Sequence, residues 1–397
     1  MTIAFRHTDA ATLMARVHEI GPVLRDNAAQ ADRDRRVPEV SITALDQAGV
    51  FGINTLAVNG GHEAGARALL DVTTAIATYC PNAAWITVIS SVSSLLPMRF
   101  PASVQERIFK DRKPVRMASV IVSAGNSVAL RDGEGYRITG EWPFGSNILN
   151  SDWAIGVVQI KESTDAEPQP GFMVMHRDQF TIKDTWFTIG MRGTGSNNFL
   201  AQDQWVPADQ VVGAGALVGP AMESAADAHF LQRLTPLSMF PTVILSGPLG
   251  AAKAALALTA QAAEKRGITY SKYHPQNTSG VFVHGVGAAR AKIEAAEMSL
   301  QRAADMIDTA AAGTVPLSPA DRAHIRNLCA HASHALADAM NDIAWLHGTA
   351  TFSESNPIGR LWRDVNTGVR HAIAASPLGY EIGGAGYLGI EPPSPLV

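Results

Sequence analysis

His371 is the side chain whose type and setting best suit moving a proton. It follows Arg363-Asp364 on a segment, Leu361 to Ala375, where Trp362, Val365, Val369 and Ile373 trace an apolar stripe, so the imidazole lies beside a buried face. An imidazole near neutrality can take a proton from a substrate hydroxyl. The plainer reading is a structural histidine with its hydrogen bonds satisfied. Ser146 is the second candidate. It sits in Gly140-Glu-Trp-Pro-Phe-Gly-Ser-Asn147, just past a strand over Tyr136 to Thr139. Trp142 and Phe144 alternate with small residues there, a pattern able to present a flat apolar wall and then one hydroxyl and one amide, as an isoalloxazine ring requires. Aromatic strand residues are, however, more often core.

Other chemical-looking patterns resolve into plain ones. His331, His334 and Asp338 fall on one helix face, but they span about 10 Å along it while metal bonds are near 2 Å, so they read as a polar face and no metal is assigned. Gly384, Gly386 and Gly389 match Gly-x-Gly-x-x-Gly formally. No helix and second strand can follow them, so a dinucleotide unit does not fit and Gly383 to Val397 reads as a flexible or packing tail. No Walker loop or Gly-x-Ser-x-Gly elbow occurs.

Composition narrows the class. The 397 residues carry 32 Lys+Arg against 36 Asp+Glu, a net charge of -4, and show no basic run, which excludes an electrostatic nucleic-acid binder. Charged residues make up 17% of the chain, below the roughly 25% usual for globular proteins, so surface is expected to be hidden between subunits of a homo-oligomer. Cys80 and Cys329 lie in apolar helical patterns and read as buried thiols in a reducing cytoplasm. The N-terminus has no signal-peptide core, and apolar stretches such as Ile86 to Met98 are too short for a membrane span.

These residues must be positioned by three successive regions. Helical periodicity covers Ala11–Asp32, Pro38–Ala48, Ala66–Tyr79, Ala83–Leu96 and Ser103–Phe109. Period-two strands follow at Met117–Ser123, Tyr136–Thr139, Trp153–Ile160, Gly171–Met175, Phe180–Thr185 and Asn198–Val206, with Asp132-Gly133-Glu134-Gly135 as a hairpin turn, giving a small antiparallel barrel or sandwich. Beyond a Gly/Ala-rich connection at Gly213–Ala226, long Ala-rich helices at Ser246–Lys265, Val283–Ala311 and Pro319–Leu346 suit an antiparallel bundle. The expected domains are 1–114, 115–225 and 226–397, an α+β architecture in the order α, β, α.

As a set, Gly140-Glu-Trp-Pro-Phe-Gly-Ser-Asn147 with Ser151-Asp-Trp153, Ile189-Gly-Met-Arg-Gly-Thr-Gly-Ser196 with Trp205-Val-Pro207, and Arg360-Leu-Trp-Arg-Asp364 resemble the acyl-CoA dehydrogenase superfamily over essentially the whole chain. The resemblance implies an N-terminal helical domain, a middle antiparallel β-barrel, a C-terminal four-helix bundle, and a flavin held between the last two, usually in a homotetramer. Two departures point away from acyl-CoA oxidation. His371-Ala372 stands where the commonest members carry a catalytic glutamate, and Lys265-Arg-Gly-Ile-Thr-Tyr270 stands near the place of an Arg-x-Gln-Phe-Gly stretch that grips FAD.

An Arg-Asp pair with a histidine eight positions after the arginine, together with Trp-x-Phe-x-Ser, is similar instead to the oxygenase component of two-component flavin-dependent monooxygenases. Arg36-Val-Pro-Glu39, Ala48-Gly-Val-Phe51, Gly60-Gly61 and Cys80-Pro-Asn-Ala-Ala-Trp85 add to that similarity. It implies reduced FMN or FAD (FMNH2 or FADH2) delivered by a separate flavin reductase, reaction with O2 through a C4a-hydroperoxyflavin, and hydroxylation of an aromatic or biosynthetic small molecule. His371 would be the base and Ser146 the partner of flavin N5. Trp142 and Phe144 would wall the ring, and Asn147, Ser119, Ser123 and Arg363 would add cofactor contacts. Ser90-Ser-Val-Ser-Ser94 replaces a histidine-bearing helix of some relatives, so Ser90, Ser91 and Ser94 are expected to line the substrate pocket. The alternatives are a dehydrogenase-like desaturase with another base, or a non-catalytic member of the fold.

Overall fold

The computed structural model describes residues 10–121, 125–218, 228–313 and 315–394. Its first region is helical: α1 (Ala10–Asp34), α2 (Glu39–Gln47), α3 (Ala66–Ala77), α4 (Pro81–Ser93) and α5 (Ala102–Ile108). Helix α4 is buried along its whole length, unlike an amphipathic surface helix. Its run of small and apolar residues therefore carries no stripe, as expected of a helix enclosed on all sides. Pro81 at its first position supplies a preset φ where no N–H partner is needed.

Eight strands follow: β1 (Met117–Val120), β2 (Val128–Asp132), β3 (Gly135–Gly145), β4 (Trp153–Lys161), β5 (Gln169–His176), β6 (Thr181–Lys183), β7 (Asn197–Pro207) and β8 (Val211–Gly213). They form one sheet in the order β6-β7-β3-β2-β4-β5-β8, with β1 also on β4. The expected all-antiparallel sheet is corrected here, because β1 and β2 both run parallel to β4. They occupy successive stretches of one β4 edge, Trp153 to Gly156 and then Gln159 to Lys161, so they behave as one interrupted strand. The β2–β3 hairpin closes through Gly133 at φ 59°, as the Asp-Gly sequence requires. Strands β2 and β8 went unread in the sequence because β2 is short and mixed in polarity and β8 has only three residues.

The third region comprises α6 (Ala214–Val218), α7 (Phe230–Arg233), α8 (Pro236–Val243), α9 (Ser246–Ala263), α10 (Gly280–Ala312), α11 (Pro319–His347), α12 (Pro357–Gly368) and α13 (Ser376–Leu388). The stretch Pro236–Ala263 has the length and apolarity of a membrane span, yet 67% of its most apolar window is buried against the protein's own helices. The start of the expected C-terminal tail, Gly383 to Leu388, belongs to helix α13. Its Gly379, Gly383 and Gly386 lie against Ala330, Asn327 and Ala323 of α11, and a Cβ at Gly383 or Gly386 would come within 2.4 Å of those side chains. The formal Gly-x-Gly-x-x-Gly is thus part of a close helix crossing. Tail segment 395–397 lies outside the described residues, as does most of the Gly/Ala-rich connection.

One core cluster runs from α1 through α4 into α8–α12, so the two helical regions share a single interior, while the sheet keeps clusters of its own. Cys80 and Cys329 are both free and buried, and burial pushes each thiol up to about 11.

Candidate active site

Ser146 is delivered by a break in β3. The β3–β7 register shifts between Trp142 and Gly145, and Phe144 within that bulge has φ 59°. A bulge of this kind re-aims side chains. Trp142 and Phe144, two residues apart, would otherwise share a face. Trp142 stays in the sheet core, fully buried, stacked on Phe199 at 5.0 Å and donating from Nε1 to Val157 O at 2.7 Å. Phe144 turns outward, 70% exposed, with its edge to Trp186. The expectation that both rings wall a ligand is corrected on this point: Phe144 alone offers a free face.

Beyond the bulge, Ser146 Oγ lies 3.2 Å from Trp85 Nε1 and 2.6 Å from Ser196 Oγ. Ser196 lies 2.7 Å from Thr194 Oγ1, which donates to Met191 O at 2.7 Å. Two regions meet here, since Trp85 comes from α4 and Thr194 and Ser196 from the turn before β7, and His371 and Phe240 bring in the third. The Trp85 ring also faces His371 at 5.8 Å between centroids, and Phe240 of α8 meets His371 edge-on at 5.5 Å. Trp85 therefore stands between the Ser146 hydroxyl and the His371 imidazole. In the sequence Trp85 stands out only within a resemblance motif; its aromatic character in an otherwise small-residue helix was the available signal.

His371 lies past the end of α12, in the turn leading to α13, rather than on a helix. The Ile373 N–H donates to its Nδ1 at 3.3 Å, which leaves the proton of the neutral ring on Nε2. Burial, reinforced by the Arg326 guanidinium, lowers the imidazole to about 4. Arg326 itself is only 5% exposed. Its Nη1 is buried without a hydrogen-bond partner among the described residues. A buried cation without a counter-ion is costly, and its own pKa is lowered by that burial. Replacing Arg326 by Met should raise the His371 pKa toward the ordinary value, read by imidazole proton NMR titration; an unchanged value contradicts the coupling.

The Arg-Asp pair of α12 has a different task. Asp364, fully buried, accepts from Met191 N at 2.6 Å and from Asn82 Nδ2 at 3.1 Å, joining α12 to the β7 approach and to α4. Burial, with the Asp32 carboxylate adding to it, pushes its carboxyl up to about 7 against the pull of the Met191 bond and of Arg360 and Arg363. Arg363 donates to Ile189 O at 2.7 Å and to Asp32 Oδ2 at 2.6 Å. The expected cofactor contact of Arg363 is therefore corrected to a clamp between α1, α12 and the β7 approach.

The remaining expected residues divide. Asn147, buried at φ 66°, spends its amide on Met117 O at 3.2 Å. Ser119 pairs with Ser93 at 2.8 Å. Ser123 lies outside the described residues. Ser90 Oγ accepts from Met117 N and Ser94 Oγ donates to Ser90 O, so these two tie α4 to β1 and brace the helix rather than face a pocket. Only Ser91 of the three keeps a buried hydroxyl without a partner. His334 pairs with Asp338 at 3.5 Å on an exposed face.

Flavin is the cofactor this chemistry implies, and the residues fit it. Phe144 offers an exposed aromatic face at the surface, Phe187 and Ile189 are likewise exposed on the segment whose Trp186 meets Phe144, and Ser146 offers a hydroxyl two residues on. A planar ring with a polar edge matches that pairing.

Comparison with known proteins supplies the remaining facts. Residues 243–376 match the family model described as acyl-CoA dehydrogenase, C-terminal domain. The structure of XiaF from Streptomyces sp. in complex with FADH2 and glycerol is similar with a TM-score of 0.94 and 36% identity, covering 97% of both chains. The FADH(2)-dependent resorcinol hydroxylase, oxygenase component, of Rhizobium sp. (strain MTP-10005) is 27% identical over 96% of this chain and 95% of its own length. The flavin-dependent monooxygenase, oxygenase subunit HsaA, of Mycobacterium tuberculosis (strain ATCC 25618 / H37Rv) is 25% identical over 99% and 100%.

Proposed function

Because this chain belongs to the acyl-CoA dehydrogenase superfamily, in its group of flavin-dependent monooxygenase oxygenase components, we propose that Ser146, Phe144, Trp85 and His371 form its oxygenation site for an aromatic or biosynthetic small molecule. The observation that carries this placement is Trp85, whose Nε1 donates to Ser146 Oγ while its ring faces His371. A flavin subsite and a substrate subsite are then separated by one indole.

Reduced FMN or FAD bound there, supplied by a separate reductase, provides two electrons by which one atom of O2 enters the substrate and the other leaves as water. The protein's own tasks are to seat the ring, exclude water and handle protons. Phe144 would hold the ring's face, and Ser146 would stand at its N5 edge. Trp85 and Phe240 close the space around His371 with apolar surface, which keeps bulk water out.

His371 meets the substrate through Nε2. In the resting tautomer Nε2–H donates to a substrate oxygen and orients it. Taking the substrate's proton requires the ring's own proton on Nδ1, at the cost of the long Ile373 bond, about 1 kcal/mol. Arg326 then stabilises the negative charge left on the substrate, and that anion in turn offsets the repulsion that keeps the imidazole so weakly basic. The unpaired guanidinium thus supports a substrate with a phenolic, enolic or carboxylate oxygen. The low charge content supports a homo-oligomer, for which the family resemblance suggests a tetramer, and cytoplasmic residence fits two reduced thiols.

The test is incorporation of 18O from labelled O2 by the protein with a flavin reductase and NADH, using phenols and indoles as trial substrates. Label in the product, dependent on added reductase, is the expected result. Turnover of an acyl thioester without a reductase would move the assignment to a desaturase.

A further inference from the structure

The hydroxyl groups around Ser146 form a chain whose direction can be worked out proton by proton. Trp85 Nε1 is a donor only, so at 3.2 Å it donates to Ser146 Oγ. At the other end Thr194 donates its single hydroxyl proton to Met191 O at 2.7 Å. Having spent that proton, Thr194 Oγ1 accepts from Ser196, 2.7 Å away. Ser196 has then spent its own proton, so across the 2.6 Å contact it accepts from Ser146. The order is Trp85 N–H, Ser146 O–H, Ser196 O–H, Thr194 O–H, Met191 C=O. Both ends are pinned by groups that cannot reverse, an indole N–H and a backbone carbonyl.

This leaves Ser146 with no proton to give. Its oxygen keeps one lone pair, so it can only accept a further bond. The two redox states of flavin differ at this point: N5 carries a hydrogen in the reduced ring and is a bare acceptor in the oxidised ring.

We propose that Trp85, Ser196 and Thr194 are positioning residues that fix Ser146 as a hydrogen-bond acceptor, and that this makes the site select reduced over oxidised flavin. The proposal rests on the reading of Ser146 as the partner of flavin N5. Oxidised flavin set against the same hydroxyl meets lone pair with lone pair. Reversing the chain to relieve that contact gives up the Thr194–Met191 bond and leaves that carbonyl to Trp186 Nε1 at 2.9 Å and Thr194 N at 3.3 Å, so bound oxidised flavin has one hydrogen bond fewer than bound reduced flavin. The chain also explains why polar residues crowd an otherwise apolar junction: Thr194 is 1% and Ser196 3% exposed, and each finds its partners within it.

The experiment compares dissociation constants of FMNH2 and FADH2, measured anaerobically, with those of FMN and FAD, by quenching of protein fluorescence or by equilibrium dialysis. The proteins are wild type, Ser196→Ala, Thr194→Val, Ser196→Thr and Ser146→Ala. Wild type is expected to bind reduced flavin more tightly. Ser196→Ala and Thr194→Val, which free the Ser146 proton, should shrink the oxidised-to-reduced ratio by about two- to tenfold, the worth of one hydrogen bond. Ser196→Thr, which restores the hydroxyl, should recover it. A merely structural role would weaken both redox states together and leave the ratio unchanged. An unchanged ratio in both Ser196→Ala and Thr194→Val, with reduced flavin still bound, overturns the proposal. An unchanged ratio in Ser146→Ala overturns the placement of Ser146 at N5, and no binding of either reduced flavin by wild type overturns the functional reading itself.

Discussion

His371→Ala is expected to bind reduced flavin as wild type does and to consume O2, yet to form product roughly 10²–10⁴-fold more slowly, releasing hydrogen peroxide in its place. The reasoning is spatial. The imidazole touches Trp85 and Phe240 but makes no contact with Ser146, so the flavin edge is untouched when the ring is removed. What is lost is the group that orients the substrate oxygen and receives its proton. Peroxide yield and product yield measured in one reaction decide the matter; unchanged coupling would remove His371 from the chemistry. The pH profile adds a check. With its folded pKa lowered to about 4, the ring stays neutral from pH 8 down to about 5, so coupling should be flat over that interval. Stability should behave differently. Below about pH 6.5 the unfolded chain takes up a proton that the folded ring refuses, so His371 makes stability fall as pH drops from 6.5 toward 4. His371→Gln should flatten that slope.

Asp364→Ala should cost stability, about 3–5 kcal/mol, because it leaves two buried donors without an acceptor. Those donors belong to different regions: Met191 N–H precedes β7 and the Asn82 amide opens α4. The same substitution removes the carboxylate beside the Arg363–Asp32 pair. Loss of the clamp should therefore loosen the turn that carries Thr194 and Ser196, so flavin affinity is expected to fall along with the urea midpoint. Asp364→Asn keeps one acceptor and should fall between. A midpoint within about 0.5 kcal/mol of wild type for Asp364→Ala would show that the α12 clamp does not hold the regions together.

What the sequence revealed follows from what each signal measures. Periodicity located α1 to α5, the long bundle helices and six of the eight strands, because each buries one face or a continuous run. It missed α13, whose glycines at Gly379, Gly383 and Gly386 look like a loop until α11 is set against them. It carried the apolar stripe of the His371 segment on through Val369 to Ile373, although α12 ends at Gly368 and His371 lies beyond it. The pairing of Trp142 with Phe144 failed for a similar reason. Alternation assumes an unbroken strand, and a bulge with a positive φ at Phe144 sends the two rings to opposite sides. Ser146 and His371 stood out as candidates from type and setting, and their proposed roles came from the resemblance. Trp85, Ser196, Thr194 and Arg326 did not, since their roles depend on contacts between distant parts of the chain, 61 residues apart for Trp85 with Ser146 and 50 for Ser196 with Ser146, which no local pattern reports.

The most direct measurement is anaerobic titration of the purified protein with FMNH2 and FADH2, followed by rapid mixing with oxygenated buffer while flavin absorbance is recorded. The account predicts saturable binding of at least one reduced flavin and reoxidation much slower than that of the free flavin, because the Ser146 edge and the Phe144 face hold the ring away from water. Tightly held oxidised FAD that survives purification, or reoxidation as fast as in free solution, would contradict it.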